Sequence, residues 1–190
     1  MALPPLSLYI HVPWCVRKCP YCDFNSHARN DALPEADYVA RLLEDLHADL
    51  EAVQGRPLQS IFIGGGTPSL FSADAYAQLL AAIHQLIPFA SDIEITLEAN
   101  PGTAEQQKFR CYRAAGINRL SIGVQSFAPE HLKVLGRIHD CDEAVRAADF
   151  ARQAGFDNFN LDLMFALPGQ SSAQAVAVFV VAWIGQFIGH

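Results

Sequence analysis

Positive charge is scarce in this sequence. Its 190 residues contain 13 Lys and Arg against 20 Asp and Glu, a formal net charge of −7, and charged residues make up only 17% of the chain. A protein of this charge lacks long-range attraction to a phosphate backbone, so we expect no nucleic-acid partner. The sequence also lacks runs of like charge and low-complexity linkers, and 51% of its residues are hydrophobic. This composition can bury a core and excludes disorder for most of the chain.

Paired cysteines are also lacking, because the chain has five cysteines, an odd number. Three of them, Cys15, Cys19 and Cys22, lie within eight residues of each other. We expect no secretory leader, and an odd count disfavours a disulfide framework. The sequence therefore predicts a reducing, cytoplasmic compartment and metal or redox chemistry at the clustered thiols.

Strand-like apolar runs alternate with segments of helical periodicity from Leu8 onward, which predicts repeated βα units with parallel strands. The predicted strands cover residues 6–12, 59–63 and 93–99 and two stretches after the helix-ending glycines 116 and 155, the last ending near Phe165. The predicted helices include an amphipathic one over 38–53 and one that Ser72 caps and Pro88 ends.

Five such strands predict an α/β fold containing part of a parallel (β/α) barrel, incomplete at its C-terminal end. A closed eight-unit barrel takes about 250 residues, more than this chain has. A doubly wound open sheet is the alternative. Both architectures bind ligands at the carboxyl ends of their strands.

A chemically distinctive residue follows every predicted strand. In chain order these are Cys15, Cys19 and Cys22, then Gly64 to Gly66, then Glu98, Gln125 and Asp162. Scattered surface residues would not fall at one edge in five successive units. Their arrangement therefore predicts a single site at the carboxyl edge of the sheet.

The cysteine spacing CxxxCxxC supplies three metal ligands, whereas structural zinc and ordinary iron–sulfur clusters take four. One coordination position is thus left open. Two alternatives remain at this point: a closed zinc site with His11 or His27 as fourth ligand, or a dithiol of Cys19 and Cys22 like that of glutaredoxin.

The other candidates each have a functional and a plain structural interpretation. Gly64 to Gly66 allow a ligand to approach the backbone closely and offer their amide groups as donors, which suits a carboxylate or amino-acid moiety, or they form only a tight turn. They match neither the Walker pattern nor GxGxxG. Glu98 could accept hydrogen bonds from a ribose diol or pair with a surface cation. Arg137 could hold a carboxylate or remain solvated.

Taken together, these motifs resemble the radical SAM enzymes of the HemN and HemW group, over residues 6–170. The resemblance is carried by residues 9–15 (YIHVPWC), 19–22 (CPYC), 64–68 (GGGTP), 98–101 (EANP), 123–127 (GVQSF) and 162–164 (DLM). It implies a four-iron four-sulfur cluster on the three cysteines, with S-adenosylmethionine (SAM) chelating the open iron. It also implies SAM contacts at Tyr9, Gly65, Gly66, Thr67, Glu98, Gln125, Arg137 and Asp162.

Within that group, Phe24 stands where the coproporphyrinogen dehydrogenases have a further cysteine. This difference favours the haem chaperone branch, with haem or porphyrin, an electron donor and haem-requiring respiratory proteins as implied partners. Oxygen-independent coproporphyrinogen III oxidation is the alternative function.

The end of the chain departs from the family. From Leu163 to Gly189 there is no charged residue, and the resemblance stops after Gln170. We interpret residues 1–170 as a radical SAM core and 171–190 as an atypical apolar tail of a truncated or frame-shifted product, without the HNxxYW motif associated with haem binding. A membrane anchor is the alternative, although polar residues interrupt the run. Cys111 and Cys141 are assigned to no site.

Overall fold

A five-stranded parallel sheet forms the centre of the computed structural model, which describes residues 3–29 and 31–188. The strands are β1 (Leu6–Val12), β2 (Trp14–Cys15), β3 (His27–Ala28), β4 (Leu58–Gly65), β5 (Phe89–Ala99), β6 (Arg119–Gln125) and β7 (Asn158–Leu163). The helices are α1 (Glu35–Ala48), α2 (Leu50–Val53), α3 (Ala73–Leu86), α4 (Thr103–Gln106), α5 (Phe109–Ala114), α6 (Pro129–Val134), α7 (Cys141–Gln153) and α8 (Ser172–Ile188), and Pro68–Leu70 forms a 3₁₀ turn.

The strand order decides between the two predicted architectures. The main sheet runs β1-β4-β5-β6-β7 in chain order, with parallel pairing throughout, and β2 and β3 form a separate short ladder. Successive right-handed crossovers in one direction place the connecting helices on one face of the sheet. A doubly wound sheet would instead reverse its strand order. The α/β prediction with successive parallel strands is therefore confirmed, and the doubly wound alternative is wrong.

The helix-covered face carries the hydrophobic core. Along β4, Ile61 and Ile63 are fully buried, and Leu97 and Leu120 on the next strands are buried with them. These strands are buried on one side by helices, so their apolar residues recur at every second position. The core continues through the helical residues Tyr76, Leu79, Ile83, Phe109, Tyr112 and Ala147 and through Phe156 in the connection after α7.

Most predicted helix signals hold, with one difference. Ser72 caps α3 by accepting a hydrogen bond from the Ala75 N–H, and Gly116 and Gly155 have φ of +107° and +86° after α5 and α7. The single helix predicted over residues 38–53 is instead α1 and α2, because the chain leaves regular helical geometry at Asp49. Hydrophobic periodicity continues across this break, so the sequence pattern could not locate it.

The opposite face of the sheet is polar, and we call it the polar face. It carries the alternate strand residues Ser7, Tyr9, His11, Ser60, Phe62, Glu94, Thr96, Glu98, Arg119, Ser121, Asn160 and Asp162. Because strand side chains alternate between faces, each of these residues neighbours core residues in sequence without sharing their environment. At the carboxyl ends of the strands, this face leads to the candidate site.

The final helix α8 has no charged residue, and several apolar side chains in its first half are exposed. Val176, Phe179 and Val180 are exposed, and the Phe179 ring lies 6.2 Å from that of Phe165. Among residues 3–29 and 31–188, no helix is both long and apolar enough to cross a membrane.

Candidate functional site

The three clustered cysteines lie in a loop that the short β2–β3 ladder closes. Cys15 ends β2 and is buried, while Cys19 and Cys22 are half-buried, and all three are free thiols. The Arg29 N–H donates to the Cys15 carbonyl at 2.9 Å, and the His27 N–H donates to the Pro13 carbonyl at 2.7 Å. The ends of the loop are therefore fixed by backbone hydrogen bonds.

The glycine motif packs tightly against the cysteine loop. A Cβ atom on Gly66 would lie 2.6 Å from the Trp14 carbonyl oxygen, and Gly65 has φ of +118°. The Gly66 N–H donates to the Val12 carbonyl and the Thr67 N–H to the Trp14 carbonyl, both at 2.7 Å. The sequence predicts that the glycine amides donate to a ligand, whereas the Gly66 amide donates within the protein. Close packing between chain segments is thus the first reason for glycine here.

Glu98 lies at the end of β5 on the polar face. Its Oε2 atom accepts a hydrogen bond from the Gly65 N–H at 3.1 Å. Burial raises the pKa of Glu98, and this hydrogen bond, which favours the carboxylate, partly opposes that rise. The carboxyl group is therefore hydrogen-bonded to the glycine motif. Among the described residues it does not form an ion pair with a surface cation, which was the alternative interpretation of Glu98.

Arg137 is half-buried and held by several contacts. Its Nη2 atom donates to the carbonyl of Gly123 at 2.6 Å and to Asn100 Oδ1 at 2.7 Å, and Nη1 lies 3.7 Å from Cys19 Sγ. Arg137 Nε is buried and has no hydrogen-bond partner. The solvated interpretation of Arg137 is wrong, since this side chain joins the strand ends to the cysteine loop.

Gln125, the last residue of β6, has a strained backbone and an unpartnered side-chain oxygen. Its φ is +62°, a left-handed conformation that non-glycine residues rarely adopt, and its Oε1 atom is buried without a hydrogen-bond partner. Both features carry an energetic cost, of about 1–3 kcal/mol for each buried unpaired polar group. Such costs concentrate at sites where a ligand completes the bonding.

Asp162 lies on β7 at the same edge. The Ser121 hydroxyl donates to its Oδ2 atom at 2.8 Å, and Asn160 Nδ2 donates to Oδ1 at 2.5 Å. Burial raises the pKa of Asp162, while these two hydrogen bonds and nearby Arg119 act in the opposite direction.

All these features open onto one cavity of about 320 Å³. Its lining includes ten of the eleven candidate residues, namely Cys15, Cys19, Cys22, Gly65, Gly66, Thr67, Glu98, Gln125, Arg137 and Asp162. The remaining candidate, Tyr9, lies outside the lining. It is 57% exposed, stacks on Phe62 at 6.2 Å and forms a hydrogen bond with His11 Nδ1 at 3.0 Å.

Sequence reasoning missed other residues that line the cavity, including Tyr21, Asn100 and Ser121. Tyr21 lies between two of the cysteines, and Asn100 belongs to the EANP motif but was given no role of its own. Ser121 could have been found from strand alternation, since it lies two residues from Gly123 on the same face of β6.

The zinc alternative receives no support from His11. Its Nε2 atom bonds the Asn25 carbonyl at 2.8 Å, and its Nδ1 atom bonds Tyr9, so both ring nitrogens are engaged. Among the described side chains, no three His, Cys, Asp or Glu groups are gathered closely enough to hold one metal ion. A polynuclear cluster has a different requirement, because its cysteines bind separate irons and need not converge on one point.

Comparison with known proteins identifies the family. A model of the Radical SAM superfamily matches residues 9–179. The haem chaperones HemW of Escherichia coli (strain K12) and Haemophilus influenzae (strain Rd) are 59% identical over 174 residues and 57% identical over 178 residues. Each match covers 92% of this chain and 46% of the relative, so the chain spans less than half the length of these curated relatives.

A solved structure agrees with the sheet topology. Coproporphyrinogen III oxidase (HemN) from Escherichia coli, described as a radical SAM enzyme, superposes with a TM-score of 0.80 at 30% identity. The match covers 96% of this chain and 42% of that one. The predicted partial barrel is thereby confirmed, and the chain belongs to the radical SAM superfamily.

Proposed function

We propose that this chain binds a four-iron four-sulfur cluster through Cys15, Cys19 and Cys22 and binds SAM beside it. The observation that carries the proposal is the meeting of three free thiols with two unpartnered buried polar groups, Gln125 Oε1 and Arg137 Nε, around one cavity. When bound together, the cluster and SAM supply one-electron cleavage of a carbon–sulfur bond.

The unpartnered pair suits the amino-acid part of SAM. Gln125 Oε1 is an acceptor for an ammonium group, and Arg137 Nε is a donor to a carboxylate. A ligand carrying both groups would remove both desolvation costs at once. Glu98, held by the Gly65 N–H, would accept hydrogen bonds from the ribose hydroxyls of SAM. Asp162 would accept hydrogen bonds from SAM through the lone pairs that Ser121 and Asn160 do not use.

The residues around the thiols would influence the reduction potential of the cluster. The Arg137 guanidinium approaches Cys19 Sγ, and hydrogen bonds or positive charge near a cluster sulfur stabilise the reduced state. The burial of Cys15 would also limit water access to the cluster on that side. In this arrangement the protein holds, orients and shields, while the cofactors carry the chemistry.

Anaerobic reconstitution with iron and sulfide tests the cluster proposal. We expect a brown protein with about four irons per chain, which Cys15→Ala does not form. Cys111→Ala is the matched control, because Cys111 is exposed on α5 and should leave iron uptake unchanged. Wild-type protein that takes up no sulfide would contradict the proposal, and reversible Cys19–Cys22 disulfide formation without iron would favour the dithiol alternative.

We propose further that the chain represents the cofactor-binding part of a haem chaperone. Similarity to the two HemW proteins supports this proposal, together with Phe24 in place of a further cysteine beside the cluster loop. Haem titration of the reconstituted chain tests it: a saturable absorbance change at one haem per chain supports haem binding. The absence of saturation would contradict haem binding by this chain.

The alternative function is oxygen-independent coproporphyrinogen III oxidation, which the structural match to HemN favours. Product analysis after anaerobic incubation with coproporphyrinogen III, SAM and a reductant separates the two. Turnover supports the oxidase and removes the pure chaperone interpretation. The electron donor, the haem-requiring recipient proteins and the cytoplasmic location stay predictions.

A further inference from the structure

Asp162 belongs to a closed ring of hydrogen bonds on the polar face. Ser121 Oγ–H donates to one carboxylate oxygen at 2.8 Å, and Asn160 Nδ2 donates to the other at 2.5 Å. Asn160 Nδ2 also donates to Ser121 Oγ at 3.1 Å. Each carboxylate oxygen therefore has one donor from the protein and keeps a further lone pair for another donor.

Arg119 determines how the Asn160 amide is oriented. Its Nη2 atom donates to Asn160 Oδ1 at 2.7 Å. A guanidinium can only donate and an ionised carboxylate can only accept, so the amide oxygen must face Arg119 and the amide nitrogen must face Asp162. Flipping the amide would lose both hydrogen bonds, so the ring has a single consistent arrangement.

Arg119 is itself anchored away from the cavity. Its Nη1 atom donates to Thr96 Oγ1 at 3.3 Å, and its Nε atom lies 3.8 Å from a carboxylate oxygen of Glu94. Ser121 and Asp162 line the cavity, whereas Arg119 and Asn160 lie behind them, toward the amino ends of the strands. The network thus extends from the site into the sheet.

We propose that Ser121 and Asn160 are positioning residues that hold the Asp162 carboxylate in one orientation toward the cavity ligand, with Arg119 fixing the Asn160 amide. The inference rests on the proposed function, because the ligand is taken to be SAM. A carboxylate already oriented by two donors loses less rotational freedom when SAM binds, which strengthens binding.

The test measures SAM affinity by anaerobic equilibrium dialysis on the reconstituted chain. We expect Ser121→Ala to weaken binding roughly tenfold, and Ser121→Thr, which keeps the hydroxyl, to stay within about threefold of wild type. The matched control is Ser60→Ala. Ser60 is a serine on the same face whose hydroxyl donates to Ser7 at 2.8 Å, remote from the ring, and its removal should not change affinity.

A second measurement separates positioning from general stability. Removing the Ser121 hydroxyl takes one donor from the ionised carboxylate and therefore raises the pKa of Asp162. SAM binding by Ser121→Ala should then weaken at a higher pH than wild-type binding as the solution is acidified. Loss of stability alone would leave the midpoint of this pH profile unchanged.

Asn160→Ala gives an independent variant, since it removes the donor to the other carboxylate oxygen. Circular dichroism melting checks that each variant is folded, and Asn160→Ala decides the question if Ser121→Ala does not fold. A folded variant with wild-type SAM affinity and the wild-type pH midpoint overturns this inference and leaves the proposed function standing. A reconstituted wild-type chain that binds no SAM overturns the proposed function, and this inference with it.

Discussion

Glu98 illustrates how a single buried carboxyl group can lower stability while serving a site. Burial raises its pKa above the ordinary value of 4.5, with the Gly65 N–H opposing the rise. The folded state therefore holds the proton more tightly than the unfolded chain does. Its contribution to stability is most favourable at low pH and declines as the pH rises above about 4.5 through the raised pKa.

Glu98→Gln should accordingly stabilise the ligand-free chain. The amide removes the buried negative charge and keeps an oxygen that can accept from the Gly65 N–H. We expect a higher urea midpoint than wild type at pH 7.5, with the difference shrinking toward pH 5, and about tenfold weaker SAM binding. Glu51→Gln, at an exposed position on α2, is the control and should change neither quantity. A lower midpoint for Glu98→Gln at pH 7.5 would contradict this account.

At the scale of elements, the 3₁₀ turn after the glycine motif is held by side chains from two helices. The Tyr76 hydroxyl of α3 donates to the Pro68 carbonyl at 2.7 Å. The hydroxyl of Tyr112, on α5, lies 2.6 and 2.8 Å from the carbonyl oxygens of Ser69 and Phe71 and shares its single proton between them. These bonds satisfy buried carbonyl groups that have left regular structure, and they fix the turn beside the cavity.

Tyr112→Phe should therefore destabilise the protein by about 1–2 kcal/mol, because the carbonyl of buried Phe71 loses its side-chain donor, while the Ser69 carbonyl keeps the Lys108 ammonium as a donor. Burial also raises the pKa of Tyr112, so the stability of the wild type should fall as the pH rises above about 10. The stability of Tyr112→Phe should fall less over the same pH range. Urea denaturation at pH 7 and pH 10.5 measures both effects. Tyr38→Phe, which loses a bond from a half-buried hydroxyl to His11, should cost less; equal losses would argue against the role of burial.

At the scale of the whole molecule, we propose that residues 1–170 are the folding unit and that 171–190 contribute little to it. The described apolar side chains of α8 are largely exposed, and the ring of Phe179 makes an aromatic contact with Phe165 in the preceding chain. The core lies under the sheet and includes none of the α8 residues 172–180, whose side chains the structure describes.

Deleting residues 171–190 should leave the free energy of unfolding within about 0.5 kcal/mol of the full chain. Removing exposed Val176, Phe179 and Val180 should also reduce self-association at high concentration. Urea denaturation and light scattering measure the two effects, with Val176→Ser as a milder variant in the full chain. A loss of more than about 2 kcal/mol would show that α8 belongs to the folding unit.

Local sequence signals were sufficient to predict most of the helices and strands and most of the residues that line the cavity. Ser72, Gly116 and Gly155 mark helix boundaries through their own side-chain or backbone chemistry, and no distant residue is needed to interpret them. The helix break at Asp49 was not predictable, because the amphipathic pattern continues through it. The short β2–β3 ladder was missed because each of its strands has only two residues.

The sequence by itself determined the parallel βα arrangement and the candidate residues, because alternating periodicity and strand-end motifs are written in neighbouring positions. Only the tertiary structure decided which polar groups meet across strands. In the folded chain the amides of Gly66 and Thr67 donate to backbone carbonyl groups, and Ser121 donates to Asp162. Gln125 Oε1 and Arg137 Nε are left without hydrogen-bond partners. Such contacts join residues 41 positions or more apart in some cases, and their hydrogen-bond partners depend on register and burial that no local pattern specifies.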